Sequence, residues 1–174
     1  MRIKIFCEYL ENPIGIDLER PRFSWQGIGA LEGVKQLSYR LIVSKHKDPF
    51  EDSSMAIWDS GTVLSDLSTN ITYGGEALET AERYYYQVKI IDNQMNEYLS
   101  DVGLFITGIM EKKSWKAMWM GSSQMNQNTL WFRSKLFLNK KKIKDAFAYI
   151  ISPNYYVMTV NGRAVTDTVL NNAW

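Results

Sequence analysis

Nearly every patterned stretch of this chain repeats its apolar residues at every second position, and that feature excludes most architectures. A period of two belongs to strands, whose successive side chains face opposite sides of a sheet; helices repeat near 3.6. The runs are "RFSW" at 22–25, "SYRLIVSK" at 38–45, "AIWDSG" at 56–61, "RYYYQVKII" at 83–91 and "VGLFITG" at 102–108. All are rich in β-branched and aromatic residues and are bounded by Gly, Pro, Asn or Asp. "DNQMNE" at 92–97 fits a hairpin loop, and "GEALETAER" at 75–83 has room for a short helical turn at most. The expectation is an all-β chain.

A boundary falls near Gly108–Ser114, where a strand ends and the short charged connector "IMEKKS" carries no core pattern. The stretch before it has six or seven strands, enough for a sandwich of about 100 residues. Trp25, Tyr39, Trp58, Tyr85 and Val88 are its expected core, with a tyrosine at the start of the 83–91 strand bonding back to nearby backbone. After the boundary the pattern restarts at 115–121, 129–138, 145–151, 155–160 and 163–170. Five strands are too few for a closed jelly roll, which needs about eight. Asn161-Gly162, flanked by two of these runs, is the strongest short hairpin signal. It would put Tyr156, Met158 and Val160 on one face, with Val165 and Val169 opposite. Lys140–Lys142 reads as a solvated turn.

Chemistry is harder to place. The net charge of +1 supplies no field to gather nucleic acid or an acidic membrane. The start, "MRIKIFCEYLENP", lacks the apolar core of a signal peptide, and no run approaches the roughly 18 residues of a membrane span. A cytoplasmic chain is expected. One histidine, His46 in the polar "KHKDP" loop, leaves little for a triad or a histidine-based zinc site. Cys7, the single cysteine, can form no intrachain disulfide and has no basic partner in view. Gly74-Gly75 lacks the lysine of a phosphate loop.

Carboxylates remain, since a glycosidase needs two of them roughly 5–10 Å apart. Asp17, Asp59, Asp66, Asp92, Asp101 and Asp167 sit mostly at strand ends or turns, where Asp satisfies free backbone donors. Glu76, Glu79 and Glu82 read as a solvated face. Six Trp and ten Tyr are many for 174 residues. Indoles can stack on sugar rings, yet Trp25, Trp58, Trp115, Trp119 and Trp131 occupy positions that more often build cores.

Eight segments then follow one another in a specific order: "ENPIGIDLERPRFSWQ" at 11–26, "QLSYRLIVSK" at 36–45, "IWDSGTVLSDLSTNITYGGEAL" at 57–78 and "RYYYQVKIID" at 83–92. "FITG" at 105–108, "WKAMWMG" at 115–121, "WFRSKLFL" at 131–138 and "YYVMTVNGRAVTDTVL" at 155–170 complete the series. This series resembles the N-terminal part of bacterial α-L-rhamnosidases of glycoside hydrolase family 78.

The resemblance implies a fibronectin-III-like β-sandwich over 1–108, a linker over 109–114, and the first part of a jelly-roll domain over 115–174. In that family an (α/α)6 barrel carries the catalytic carboxylates and hydrolyses terminal α-L-rhamnosyl groups with inversion. No position here matches the barrel, so no catalytic, cofactor-binding or metal-binding residue is carried over, and no cofactor is implied. Leu99-Ser100 stands where the family usually has Trp-Ser, an exchange expected in the core. Asn172-Ala173-Trp174 stands where the hairpin usually leads into a Pro-Gly-Trp-Thr-like segment, so the second module is expected to be truncated. The expected role is a non-catalytic accessory fragment whose partners are the other domains of its parent enzyme. Rhamnose-containing glycans, and a second copy of the chain bound through the incomplete module, are the further expected partners. A carbohydrate-binding fragment, in some relatives with calcium, and a stand-alone interaction module are the alternatives.

Overall fold

The structure, a computed structural model, describes residues 1–29, 32–123, 129–138, 143, 146–153 and 155–165. Lys140–Lys142, Asp167, Val169 and Asn172-Ala173-Trp174 lie outside them. The chain forms two compact units, Met1–Met120 and Gly121–Trp174.

Ten strands build the first unit. They are β1 (Arg2–Cys7), β2 (Ile14–Ile16), β3 (Arg22–Ile28), β4 (Gln36–Ser44), β5 (Ala56–Asp59), β6 (Val63–Leu64), β7 (Ile71–Thr72), β8 (Arg83–Asp92), β9 (Glu97–Leu99) and β10 (Gly103–Thr107). One sheet has the order β1-β3-β7; the other runs β2-β10-β8-β4-β5, with β6 also on β4 and β9 also on β8. Two sheets, antiparallel except where β2 runs parallel to β10, pack on one apolar layer and make a β-sandwich. β1 and β2 precede the first strand expected from the pattern, and the two-residue strands β6 and β7 fall between the runs expected at 56–61 and 83–91. Residues 75–83 hold no helix; the helical structure among the described residues is two 3-10 turns, Ser53–Met55 and Lys112–Ser114.

The core follows the period of two. β1 turns Ile3, Ile5 and Cys7 inward, β3 turns Phe23 and Trp25, and β8 turns Tyr84, Tyr86, Val88 and Ile90. Trp25, Tyr39 and Val88 are buried as expected. Tyr85 is not a core residue: it is half-buried on the opposite face of β8, one residue out of phase with Tyr84 and Tyr86. Trp58 is also only partly buried, although it packs against the core and meets Tyr73 edge-on at 5.4 Å. Leu99 is half exposed, so its exchange for the family's usual Trp falls on the surface side of β9. Phe23, Tyr84, Tyr86 and Phe105 form one aromatic group, with Tyr84 and Phe105 stacked at 5.2 Å. The corner tyrosine is Tyr84, whose hydroxyl accepts from the Glu79 amide at 2.8 Å.

In the second unit, the Asn161-Gly162 signal forms its hairpin. β11 (Thr159–Val160) pairs with β12 (Arg163–Ala164), and both turn residues are left-handed, at φ 51° and 79°. That is the two-residue turn whose twist matches the strands. The strands expected over 115–121, 129–138 and 145–151 are absent among the described residues of those stretches.

Candidate functional site

Several of the residues that could carry chemistry are held by partners that explain them structurally. Burial, and secondarily the neighbouring Glu8 carboxylate, pushes the Cys7 thiol far above its ordinary value. A thiol so shifted is a poor nucleophile. The His46 amide donates to Ser44 Oγ at 2.9 Å and its Nδ1 accepts from the Asp48 amide at 3.4 Å, which fixes a loop.

Several carboxylates face cations contributed by other strands. Asp59 accepts Arg40 Nη2 at 2.5 Å, and the guanidinium holds its carboxyl below the usual range. Asp101 pairs with Arg2 at 2.5 Å, Glu8 with Arg22 at 2.6 Å, and Glu79 with Lys45 at 2.6 Å. Glu82 Oε1 accepts the Arg83 amide at 3.1 Å. Asp17, Asp66 and Glu76 are exposed. Groups of three or more His, Cys, Asp or Glu with metal-binding geometry are absent among the described residues.

Asp92 is the carboxylate with the most specific environment. It is fully buried at the end of β8. Its Oδ1 accepts the Gln94 amide at 2.8 Å and the Asn96 amide at 2.9 Å, and its Oδ2 accepts Asn96 Nδ2 and the Tyr98 hydroxyl, each at 3.1 Å. Burial pushes its pKa up, but the Asn96, Gln94 and Tyr98 donors together outweigh it and leave the pKa below the ordinary 3.8. A depressed folded-state pKa adds stability above the unfolded value that is lost as pH falls through the folded one. Urea midpoints should therefore fall as pH drops below about 4, where unfolded aspartates protonate. Asp92→Asn should flatten that acid limb and lower the midpoint at pH 7. An unchanged acid limb in the variant would refute the assignment.

Two surface grooves flank the sandwich. One, of about 270 Å³, lies among Arg2, Lys4, Glu11, Asn12 and Asp101 over Ile5, Ile28 and Val102. Ion pairs Arg2–Asp101 and Lys4–Glu11 neutralise its rim. The other lies among Lys35, Gln36, Leu37, Leu64 and Asp66. Ser65 also lines the second groove, where its Oγ accepts the Leu67 amide at 3.1 Å and so holds the loop.

The tryptophans divide. Trp25 is core, whereas Trp119 and Trp131 are 76% and 92% exposed, so the core placement expected for those two is wrong; Trp115 is half-buried. In the runs that hold these two, neighbouring positions are equally apolar, and period alone does not choose the buried one. Tyr9 was missed. It stands exposed in a left-handed conformation, its hydroxyl on Asn70 Oδ1 and the Arg22 guanidinium 5.5 Å from its ring.

A family model described as "Rha78A-like, N-terminal immunoglobulin domain" matches residues 3–111. The chain belongs to that family. The matched span coincides with the ten-strand sandwich, so the Rha78A-like immunoglobulin domain is the part of the chain that carries the ordered core. Among curated proteins, an α-L-rhamnosidase of Formosa agariphila is 30% identical over 196 residues, covering 98% of this chain and 20% of its own length. One of Streptomyces avermitilis is 30% identical, covering 96% of this chain and 19% of its own length. The chain thus spans about a fifth of the length of these relatives. Among solved structures, an α-L-rhamnosidase from Dictyoglumus thermophilum superposes with a TM-score of 0.60 at 36% identity, over 66% of this chain and 13% of that one. The Streptomyces avermitilis enzyme, solved with L-rhamnose, gives 0.61 at 31% identity over 67% of this chain and 11% of that one. The described residues contain no helix long and apolar enough to cross a membrane.

Proposed function

We propose that this chain is the N-terminal accessory part of an α-L-rhamnosidase, in which the sandwich supports the domains that hydrolyse terminal α-L-rhamnosyl groups. Residues 115–174 would begin a second, jelly-roll module. The observation that carries this reading is the α-L-rhamnosidase match over 98% of the chain. The site geometry agrees with it: Glu8, Glu79, Asp59 and Asp101 hold basic partners, and Asp92 holds a turn. A carboxylate engaged in that way is not free to protonate a leaving group or to activate water.

The 174-residue chain should release no nitrophenol from nitrophenyl-α-L-rhamnoside above a buffer blank. Release that scales with protein concentration would overturn the reading.

A second reading, binding of rhamnose-containing glycans, draws support from the exposed indoles of Trp119 and Trp131. Titration calorimetry with L-rhamnose decides it: heat that saturates, and that disappears on Trp131→Ala, would favour binding. The exposure of Trp131, Leu136 and Phe137 in the second unit favours self-association, because exposed apolar surface is a template for contact. Light scattering should find a dimer or larger species, and a strict monomer would exclude it.

A further inference from the structure

Residues 109–114 read in the sequence as a connector, yet the structure binds the chain firmly where it leaves the sandwich. Thr107, the last residue of β10, is fully buried. Its amide donates to the Glu82 carbonyl at 3.0 Å. Its Oγ1 donates to the Glu79 carbonyl at 2.5 Å and accepts the Glu82 amide at 2.9 Å. One hydroxyl thus satisfies two backbone groups of the 79–82 loop.

The next residues continue the pattern. The Gly108 amide donates to the Ile16 carbonyl at 2.7 Å, and the Gly108 carbonyl accepts the Ala81 amide at 3.1 Å. The Met110 amide donates to Thr80 Oγ1 at 3.0 Å, and the Met110 side chain packs against the core. The loop itself is tied down by the Glu79 amide on the Tyr84 hydroxyl and the Glu79 carboxylate on Lys45. Ala81 sits at φ 59°, a conformation that a residue with a Cβ holds only where its surroundings impose it.

We propose that the 79–82 loop, β2 and the end of β10 form an exit lock. The lock makes residues 107–110 a fixed extension of the sandwich and not a free tether. The direction in which the chain departs is then a property of the sandwich. This goes beyond the accessory role and holds with or without any sugar chemistry.

Hydrogen exchange on the 174-residue chain tests it. The Gly108 and Met110 amides should exchange at least about 100-fold more slowly than in an unstructured chain, since local opening must precede exchange. Thr107→Val keeps the shape of the side chain but removes the hydroxyl. It should accelerate both amides about tenfold or more while the amides of β4 and β8 keep their rates. Thr80→Ala should accelerate Met110 alone. Nitroxides on Lys47→Cys and Ser114→Cys, with Cys7 buried, should give one narrow distance distribution that broadens in Thr107→Val. If Thr107→Val loses protection in β4 and β8 as well, the parent protein and Thr80→Ala decide the matter. Exchange of Gly108 and Met110 at unstructured rates in the parent, a broad parent distance distribution, or a Thr80→Ala variant identical to the parent would overturn the lock.

Discussion

Trp25→Ala should destabilise the sandwich by about 3–5 kcal/mol, the range for aromatic truncations in a core. Trp25 is 3% exposed and meets Tyr39 edge-on at 5.0 Å. Its loss would also break a chain of bonds. The indole Nε1 donates to Gln36 Oε1 at 2.8 Å, and Gln36 Nε2 donates to the carbonyls of Ser65 and Leu67, both at 2.9 Å. The tryptophan therefore fills the core and also orients the glutamine that holds the 65–67 loop. With alanine there, Gln36 keeps its donors occupied but leaves a part-buried acceptor unpaired, which adds to the cavity penalty. Urea unfolding at neutral pH measures the effect. A loss below about 1 kcal/mol, the size of an average substitution, would place Trp25 outside the core.

Gly103→Ala should destabilise by about 1–3 kcal/mol, although alanine is ordinarily the better residue in a strand. Gly103 pairs with Tyr86 across β10 and β8. A Cβ added there would lie 2.4 Å from Tyr86 Cζ and 2.5 Å from its Cε2. Tyr86 is fully buried between Phe23 and Phe105, at 4.9 and 6.0 Å between ring centroids. The ring has nowhere to move. The cost should shrink when the ring is absent, so Gly103→Ala in a Tyr86→Leu background should be nearly neutral. Such a cycle isolates the pair from each residue's separate contribution. An equal cost in both backgrounds would show that the clash is not the cause.

The contrast between β8 and the shorter strands shows what the sequence discloses. β8 was legible because a ten-residue run rich in aromatic and β-branched residues includes the alternation Gln87-Val88-Lys89-Ile90. Its phase was not, because Tyr84-Tyr85-Tyr86 are chemically alike. The inward face is set by pairing, with Gly103 opposite Tyr86 and Phe105 opposite Tyr84. β6 and β7 have two residues each and exist only because β4 and β3 offer them partners. No period can announce a strand of that length.

The structural role of the aspartates at turns was readable at Asp92, whose partners lie within six residues. The partners of Asp59 and Asp101 were not, since Arg40 and Arg2 precede them by 19 and 99 residues. Apolar runs over 115–121 and 129–138 predicted strands, but a strand needs a ladder partner, and the described residues of those runs have none. The Asn161-Gly162 hairpin needs only itself and did form.

The order of strands in the larger sheet also sets when the domain can be completed during synthesis. β8 and β10 lie inside it, flanked by β2 on one side and β4 and β5 on the other, yet they are encoded after every other strand of the sandwich except the short β9 between them. A nascent chain that has reached Glu82 can pair β1 with β3 and β4 with β5, but Tyr84, Tyr86, Val88 and Phe105 have not yet been made. Residues 83–107 take about 1–5 s to synthesise at 5–20 residues per second. Through that interval the β1-β3-β7 sheet and the β4-β5 pair expose the apolar faces that β8 and β10 cover once they complete the larger sheet, and exposed apolar faces of that kind invite association.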